Sequence, residues 1–276
     1  MSLFIASLNS GSNGNCYYVG NAHEAVLIDA GISCRETEKR MQRLGLSMEK
    51  VKAVFISHEH SDHIRGVEVL SKKYNLPVYI TPQTMFSGKL MLKHEVTFKA
   101  YQPVAVGGIT VTGFPKSHDA SDPHSFTLEF NGVTVGVFTD IGFVCGHVLS
   151  NFKKCHAIFL EANYDEEMLA QGHYPYYLKK RISNDKGHLS NAQALDLFTK
   201  HKPDFMSHVL LSHLSRENNS PQLVKNVFEA HAGNTEVIIA SRDYETAVYH
   251  ITAGALNSLA DKRAAIFKES LQTTLF

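Results

Sequence analysis

Seven consecutive residues, Ser57-His58-Glu59-His60-Ser61-Asp62-His63, constrain this chain more than any other stretch. An apolar run starting at Val51 leads into them, of the kind that forms a strand buried on both faces. Behind them, Ile64, Val67, Leu70 and Tyr74 recur at a helical period, predicting one helix over Asp62–Tyr74. The histidines therefore sit between a buried strand and a helix, on rigid support. His58 and His60 are two residues apart and converge on one ion from an extended segment. Asp62 and His63 open the helix and turn toward a second position, where a carboxylate also suits the positive helix end. One metal takes three or four ligands, so a loop with two half-sites predicts two metals. A solvated charged turn is the bland alternative. Three histidines and an aspartate within six residues, directly after an apolar strand, argue against it.

Around this loop the chain alternates strands and helices. Strands are expected over Leu3–Leu8, Cys16–Val19, Ala25–Asp29, Val78–Thr81, Val96–Tyr101, Ile109–Phe114, His156–Glu161, Val209–Ser212, Glu236–Ala240 and Thr246–Ile251. Ser125–Phe130 and Val133–Thr139 flank Asn131-Gly132, a type I′ hairpin signal. Helices are expected over Glu36–Leu44, Asn191–His201 (capped by Ser190 or Asn191) and Pro221–Ala232. Two comparable halves of this kind predict an α/β fold, an αββα sandwich of two mixed β-sheets with outer helices. The 276 residues suffice for a large core, expected as a single domain over 1–255 followed by an amphipathic helix over 256–276.

Composition removes several classes of function. With 43% hydrophobic and 20% charged residues the chain is not a disordered one. No apolar run approaches the roughly 20 residues of a membrane span, and no secretory signal precedes the first strand. The four cysteines form no C-x-x-C pair and are expected as reduced thiols of a cytoplasmic protein. Lysine plus arginine and aspartate plus glutamate are both 27, so no global charge advertises a polyanion.

The H-x-H-x-D-H pattern of His58, His60, Asp62 and His63 resembles that of the metallo-β-lactamase superfamily. Later strand ends carry residues similar to the family's remaining ligands: His118 in Lys116-Ser117-His118-Asp119, Asp140 in Phe138-Thr139-Asp140-Ile141-Gly142, and His213 in Leu211-Ser212-His213-Leu214-Ser215. The resemblance implies a first metal held by His58, His60, His118 and Asp140, and a second held by Asp62, His63, His213 and the same Asp140. Asp29, in Leu27-Ile28-Asp29-Ala30-Gly31, matches a family position that holds the metal loop through hydrogen bonds behind the ligands. His60 stands where the diiron flavoprotein branch has glutamate, which favours hydrolysis over redox chemistry. Nitrogen and oxygen ligands without thiolate suit zinc, manganese or iron.

His188, in Gly187-His188-Leu189-Ser190-Asn191-Ala192, resembles an additional histidine of the phosphodiesterase branch that includes the tRNA 3′-processing ribonucleases. Three readings stand for it: proton donor to the leaving oxygen, stabiliser of charge on phosphorus, or a helix-cap histidine without chemistry. Ser10-Gly11-Ser12-Asn13-Gly14-Asn15-Cys16, the Gly187–Asn191 motif and Ser212–Asn219 together resemble the bacterial YycJ (WalJ) family. That resemblance, over roughly residues 1–255, implies a metal-dependent DNA exonuclease acting from 5′ ends by attack of a hydroxide formed at the metals. Asp62 would also orient that nucleophile. The chain is too short for the inserted domain of the β-CASP nucleases and has no clear counterpart of the long arm of the tRNA-processing enzymes.

Contacts to a nucleic acid, DNA rather than RNA, are sought in Lys179, Lys180 and Arg181, which follow a tyrosine-rich stretch, and in Arg216. Ser10–Asn15, with Asn13, offers backbone N–H groups to a phosphate or is a plain turn. The first alternative is a hydrolase of a small ester, lactone or thioester on the same metal site, and the second a non-enzymatic metal-dependent binding module. The oligomeric state stays open.

Overall fold

The computed structural model describes residues 2–253 of the chain. Its first part comprises β1 (Ser2–Asn9), β2 (Cys16–Gly20), β3 (Ala25–Ile28), α1 (Cys34–Arg43), β4 (Val51–Phe55), α2 (Ser61–Ile64), α3 (Val67–Tyr74), β5 (Val78–Ile80), α4 (Pro82–Gly88) and β6 (Glu95–Thr97). Then come β7 (Val104–Val106), β8 (Ile109–Pro115), β9 (His124–Phe130), β10 (Val133–Phe138), α5 (Gly146–Phe152), β11 (Ala157–Glu161), α6 (Glu166–Gln171) and α7 (Tyr176–Ser183). Last are α8 (Asn191–His201), β12 (His208–Ser212), α9 (Pro221–Glu229), β13 (Glu236–Ile239) and β14 (Tyr249–Thr252).

The strands form two seven-stranded sheets, ordered β14-β1-β2-β3-β4-β5-β6 and β13-β12-β11-β10-β9-β8-β7. Each is antiparallel on one side and parallel on the other. Ile5, Val19, Ile28 and Phe55 of the first sheet pack against Val111, Phe126, Val135, Phe159 and Leu210 of the second. The outer faces are covered in turn: Leu27, Val54 and Val78 join Met41 and Leu70 of α1 and α3, while Ile158, Val209 and Leu211 join Phe152, Phe198 and Phe228 of α5, α8 and α9. Strand β11 up to Leu160, and β4 from Ala53 on, read as apolar runs because both of their faces are buried in this way, whereas Lys52 at the start of β4 is exposed. This is the αββα sandwich expected from the layer rules.

Local chemistry accounts for the boundaries. Ser190 caps α8 with a full capping box to Gln193, and α8 spans the expected Asn191–His201. Asn131 and Gly132 have φ of 48° and 77°, the pair of left-handed residues a type I′ turn requires. Two expectations fail. Asp62–Tyr74 is broken into α2 and α3, because the Gly66 N–H bonds the Ala30 carbonyl and a Cβ there would lie 2.0 Å from the Ile32 oxygen. Of the strand expected at Val96–Tyr101 only Val96 and Thr97 pair, within β6; the chain then turns at Tyr101 (φ 62°), whose N–H bonds the Gly113 carbonyl. Helices α4 to α7 are too short for a periodic signal and were not expected. The helix expected over 256–276 lies outside the described residues. Among the described residues no helix is long and apolar enough to cross a membrane.

Candidate metal centre and cleft

Every candidate ligand sits at the carboxyl end of a strand. The chain leaves β4 extended through His58 and His60, and α2 opens with Asp62 and His63. From the facing sheet, His118 follows β8, Asp140 follows β10 and His213 follows β12 directly. Asp140 and His213 have φ of 55° and 56°. Left-handed backbone is tolerated by Asp and costs a histidine somewhat more; here it turns both side chains back into the seam between the sheets.

The seven side chains form two groups. His60 Nδ1 is 3.2 Å from His58 Nε2 and 3.3 Å from His118 Nε2. Asp62 Oδ2 is 3.5 Å from His213 Nε2 and 3.6 Å from His63 Nε2. Asp140 lies between them, with Oδ2 3.3 Å from His63 Nε2 and Oδ1 3.9 Å from His118 Nε2. The structure thus brings together all seven residues singled out in the sequence, in the two sets the resemblance implies.

The outward ring nitrogens test whether this cluster fits metal ions. His58 Nδ1 lies 2.8 Å from Ser57 Oγ, His60 Nε2 3.2 Å from the Asp119 carbonyl, His118 Nδ1 3.0 Å from the Gly187 carbonyl, and His63 Nδ1 2.7 Å from Asp29 Oδ2. Each ring is therefore oriented from behind by an oxygen, and its other nitrogen faces the shared space, as ligating histidines are held. Two atoms aimed into that space, Asp140 Oδ2 and His213 Nε2, are buried without a directed hydrogen bond. Buried polar atoms are almost always paired, and these two are placed as donors to a cation. The donors are imidazoles and carboxylates with no thiolate, a set suited to zinc, manganese or iron. The residues fit two divalent ions.

Electrostatics agree. Burial disfavours charge on His63, yet Asp140, Asp29 and Asp62 around it prevail and push it up to about 10. His213 is likewise raised, against its burial, by Asp140, Asp62 and Glu161. Asp62 and Glu161 are held down near about 2, His63 and His213 outweighing burial for the first, His188 and His213 for the second. Burial lowers His58, and takes His118 down to about 3. The carboxylates around His63 and His213 thus favour positive charge at the place where a second cation would be held.

Some functional groups escaped the sequence reading. Glu161, fully buried at the end of β11, places Oε1 2.8 Å from His188 Nδ1 and 3.0 Å from His213 Nδ1, while Oε2 accepts from the Ile141 and Leu189 N–H groups. Its only sequence signal is a lone carboxylate closing the apolar run Ala157–Leu160. Asn15 Nδ2 lies 3.1 Å from Asp62 Oδ2. Its Oδ1 accepts from the Gly11 N–H and from Tyr17 Oη–H, so the amide can face only one way. Asp29, expected behind the ligands, accepts from the Ser57 N–H and Ser57 Oγ as well as facing His63.

A cleft of about 360 Å³ opens over the cluster, lined among others by Ser12, Asp119, Tyr174, Leu178, Arg181 and His188. The expected substrate contacts divide here. Arg181 lines the cleft, its Nε 2.6 Å from Asp119 Oδ2. Lys179 and Lys180 do not, because the helical turn of α7 puts them on the face away from Leu178, Arg181 and Ile182. Lys179 Nζ bonds the Ala170 carbonyl and Lys180 lies over the Tyr176 ring. The Asn13 amide is committed to the Arg242 carbonyl, and Ser12 rather than Asn13 lines the cleft. Arg216 is 76% exposed and lines a neighbouring groove.

Residues 24–213 match the family model of the β-lactamase superfamily domain. The chain is 35% identical over 230 residues to exodeoxyribonuclease YycJ of Bacillus anthracis, covering 82% of this chain and 87% of that one. It is 32% identical over 223 residues to exodeoxyribonuclease WalJ of Streptococcus pneumoniae serotype 2 (strain D39), covering 78% and 83%. Among solved structures, the metallo-β-lactamase fold protein YhfI of Bacillus subtilis shares the fold with a TM-score of 0.70 at 17% identity, over 91% of this chain and all of that one. The chain belongs to the metallo-β-lactamase superfamily and, within it, to the YycJ/WalJ family.

Proposed function

We propose that this protein is a dinuclear metal-dependent phosphodiesterase, a DNA exonuclease acting from 5′ ends in the cytoplasm. The observation that carries the reaction class is the Glu161–His188 pair at the edge of the seven-ligand cluster. Relatives named exodeoxyribonucleases support DNA as the substrate. His58, His60 and His118 would hold one ion, Asp62, His63 and His213 the other, with Asp140 between. Bound there, divalent ions supply charge stabilisation at phosphorus and a water acidic enough to react near neutral pH.

The chain's own groups do the rest. Asp62, steadied by Asn15, accepts a hydrogen bond from the attacking water and orients it toward phosphorus. His188 keeps Nδ1–H on Glu161 and presents Nε2 to the cleft, where it donates a proton to the departing sugar oxygen. The Glu161 carboxylate fixes the ring orientation that this step needs. Arg181, on leaving Asp119, offers its guanidinium fork to a phosphate oxygen.

A small-ester or thioester hydrolase is the second reading. It is favoured by the two lysines on the far face of α7 and by the balanced net charge. The deciding experiment loads the purified protein separately with zinc and with manganese. Duplex DNA labelled at the 5′ or 3′ end, RNA of the same sequence, an ester and a thioester are then offered, with Asp62→Asn as control. Metal-dependent release of short products from the 5′ end of DNA, absent in the variant, is expected. Intact DNA beside ester or thioester turnover would overturn the reading.

A further inference from the structure

The cleft is continuous with a second depression. Leu214 and Ser215, which line the cleft beside His213, also line a groove of about 340 Å³ between the loop after β12, helix α9 and the segment that follows β13. That volume lies within the range of sites that hold small ligands, about 300–1,000 Å³. Three cations line it, Arg216, Lys225 and Arg242, against one carboxylate, Asp243. Glu217 and Glu229, which face Arg216 and Lys225 at 3.9 and 3.6 Å, are not part of its lining. Arg242 is half-buried in the groove wall, its backbone carbonyl holding the Asn13 amide. Tyr244 stands 66% exposed on the same wall.

We propose that this groove is a second nucleotide subsite, taking the single strand that flanks the scissile phosphodiester. Arg216, Lys225 and Arg242 bind non-scissile phosphates, and the Tyr244 ring stacks on a base. A cationic track with an aromatic platform recognises a polyanionic strand without reading its sequence. An uncharged ester gains nothing from such a track, and Leu214-Ser215 connects it to the cleft over a single residue pair. The neutral net charge is no obstacle, since what the strand meets is the local excess of cations. This inference rests on the phosphodiesterase reading and adds the strand's path beyond the cleft.

The test compares the metal-loaded enzyme on a thymidine dinucleotide, which reaches only the cleft, and on a single strand of about twelve thymidylates, which reaches the groove as well. The readout is the ratio of kcat/KM between the long and the short substrate, followed over a salt series. In Arg216→Glu/Lys225→Glu the ratio is expected to fall at least about tenfold. The salt slope for the long strand should flatten by about 1.4, at roughly 0.7 per lost phosphate contact. Tyr244→Ala should lower the ratio by about fivefold or more, the loss of one stacked base, without changing the salt slope. An unchanged ratio and slope in all variants would overturn the subsite while leaving the nuclease intact. Failure of the unmodified enzyme to cut either substrate or the labelled duplex would instead overturn the phosphodiesterase reading. Fluorescence anisotropy of the labelled long strand then decides the groove separately: binding weakened in Arg216→Glu/Lys225→Glu supports it, and no binding overturns it.

Discussion

Asp29→Asn isolates how much of the metal affinity comes from behind the ligands. Asp29 is fully buried, has a left-handed φ of 61°, and asparagine tolerates that conformation as readily as aspartate. The substitution is therefore electronic rather than conformational. One asparagine oxygen can still accept from the Ser57 N–H, as Oδ1 of Asp29 does. The new NH2 group, however, replaces Oδ2, which faces His63 Nδ1 at 2.7 Å and Ser57 Oγ at 2.8 Å. For His63 to ligate through Nε2, its Nδ1 must carry the proton, so two donors would confront each other. The effect also reaches the first metal, because Ser57 Oγ stands between Asp29 and His58 Nδ1. Loss of such an orienting partner costs about 10–100-fold in metal affinity, or about 1.4–2.8 kcal/mol. Chelator competition on the loaded protein should therefore show one ion weakened by that amount and the other weakened less. Ser57→Ala removes the oxygen behind His58 Nδ1 but leaves Asp29 Oδ2 on His63 Nδ1, so it should weaken the ion held by His58 more than the one held by His63. Competition curves for Asp29→Asn that superimpose on those of the unmodified protein would refute the argument.

Glu161→Gln should reduce kcat about 100-fold on an ordinary diester, where the departing oxygen needs a proton, and much less on a p-nitrophenyl diester, whose leaving group needs none; equal losses on both would remove His188 as the acid. Asn15→Ala should lower kcat by about tenfold with KM nearly unchanged, by freeing Asp62, and a pure KM effect would refute that. Gly31→Ala places a Cβ 1.6 Å from the Asp62 carbonyl oxygen; a forced backbone shift there should cost about 3 kcal/mol or more, read as a lowered urea midpoint, and an unchanged midpoint would refute the close packing. Stripped of metal, the protein should be most stable near about pH 6.5. His63, raised from 6.5 to about 10, contributes fully below 6.5 and fades as pH climbs through 10, whereas His118, lowered from 6.5 to about 3, is neutral in the fold and takes stability away as pH falls below 6.5, joined below 4.5 by Glu161, lowered to about 2. A calorimetric Tm that peaks above pH 9 would contradict this charge arrangement.

The candidate metal ligands were legible in the sequence for a chemical reason. An ion accepts few donor types, and a donor must stand where a strand delivers it, so His118, Asp140 and His213 each follow the end of a strand. Glu161 obeys the same rule but was missed, because nothing local separates a structural carboxylate at a strand end from a functional one. Its meaning comes from His188 and His213, 27 and 52 positions away. Asn15 acts on Asp62 across 47 positions, in a loop whose composition says only turn. The break at Gly66 was hidden for a related reason. Apolar periodicity continues through it, and only the approach of the Ala30–Ile32 backbone forbids a continuous helix. Lys179, Lys180 and Arg181 show a different limit. Charge can be read residue by residue, but successive helix positions point about 100° apart, so one of three neighbouring cations reaches the cleft. A metal needs its donors at one point, which leaves a strict pattern in the chain. A nucleic-acid strand accepts cations anywhere along a path, as Arg216, Lys225 and Arg242 are placed from three separate segments, and such a path becomes visible only once the fold has assembled it.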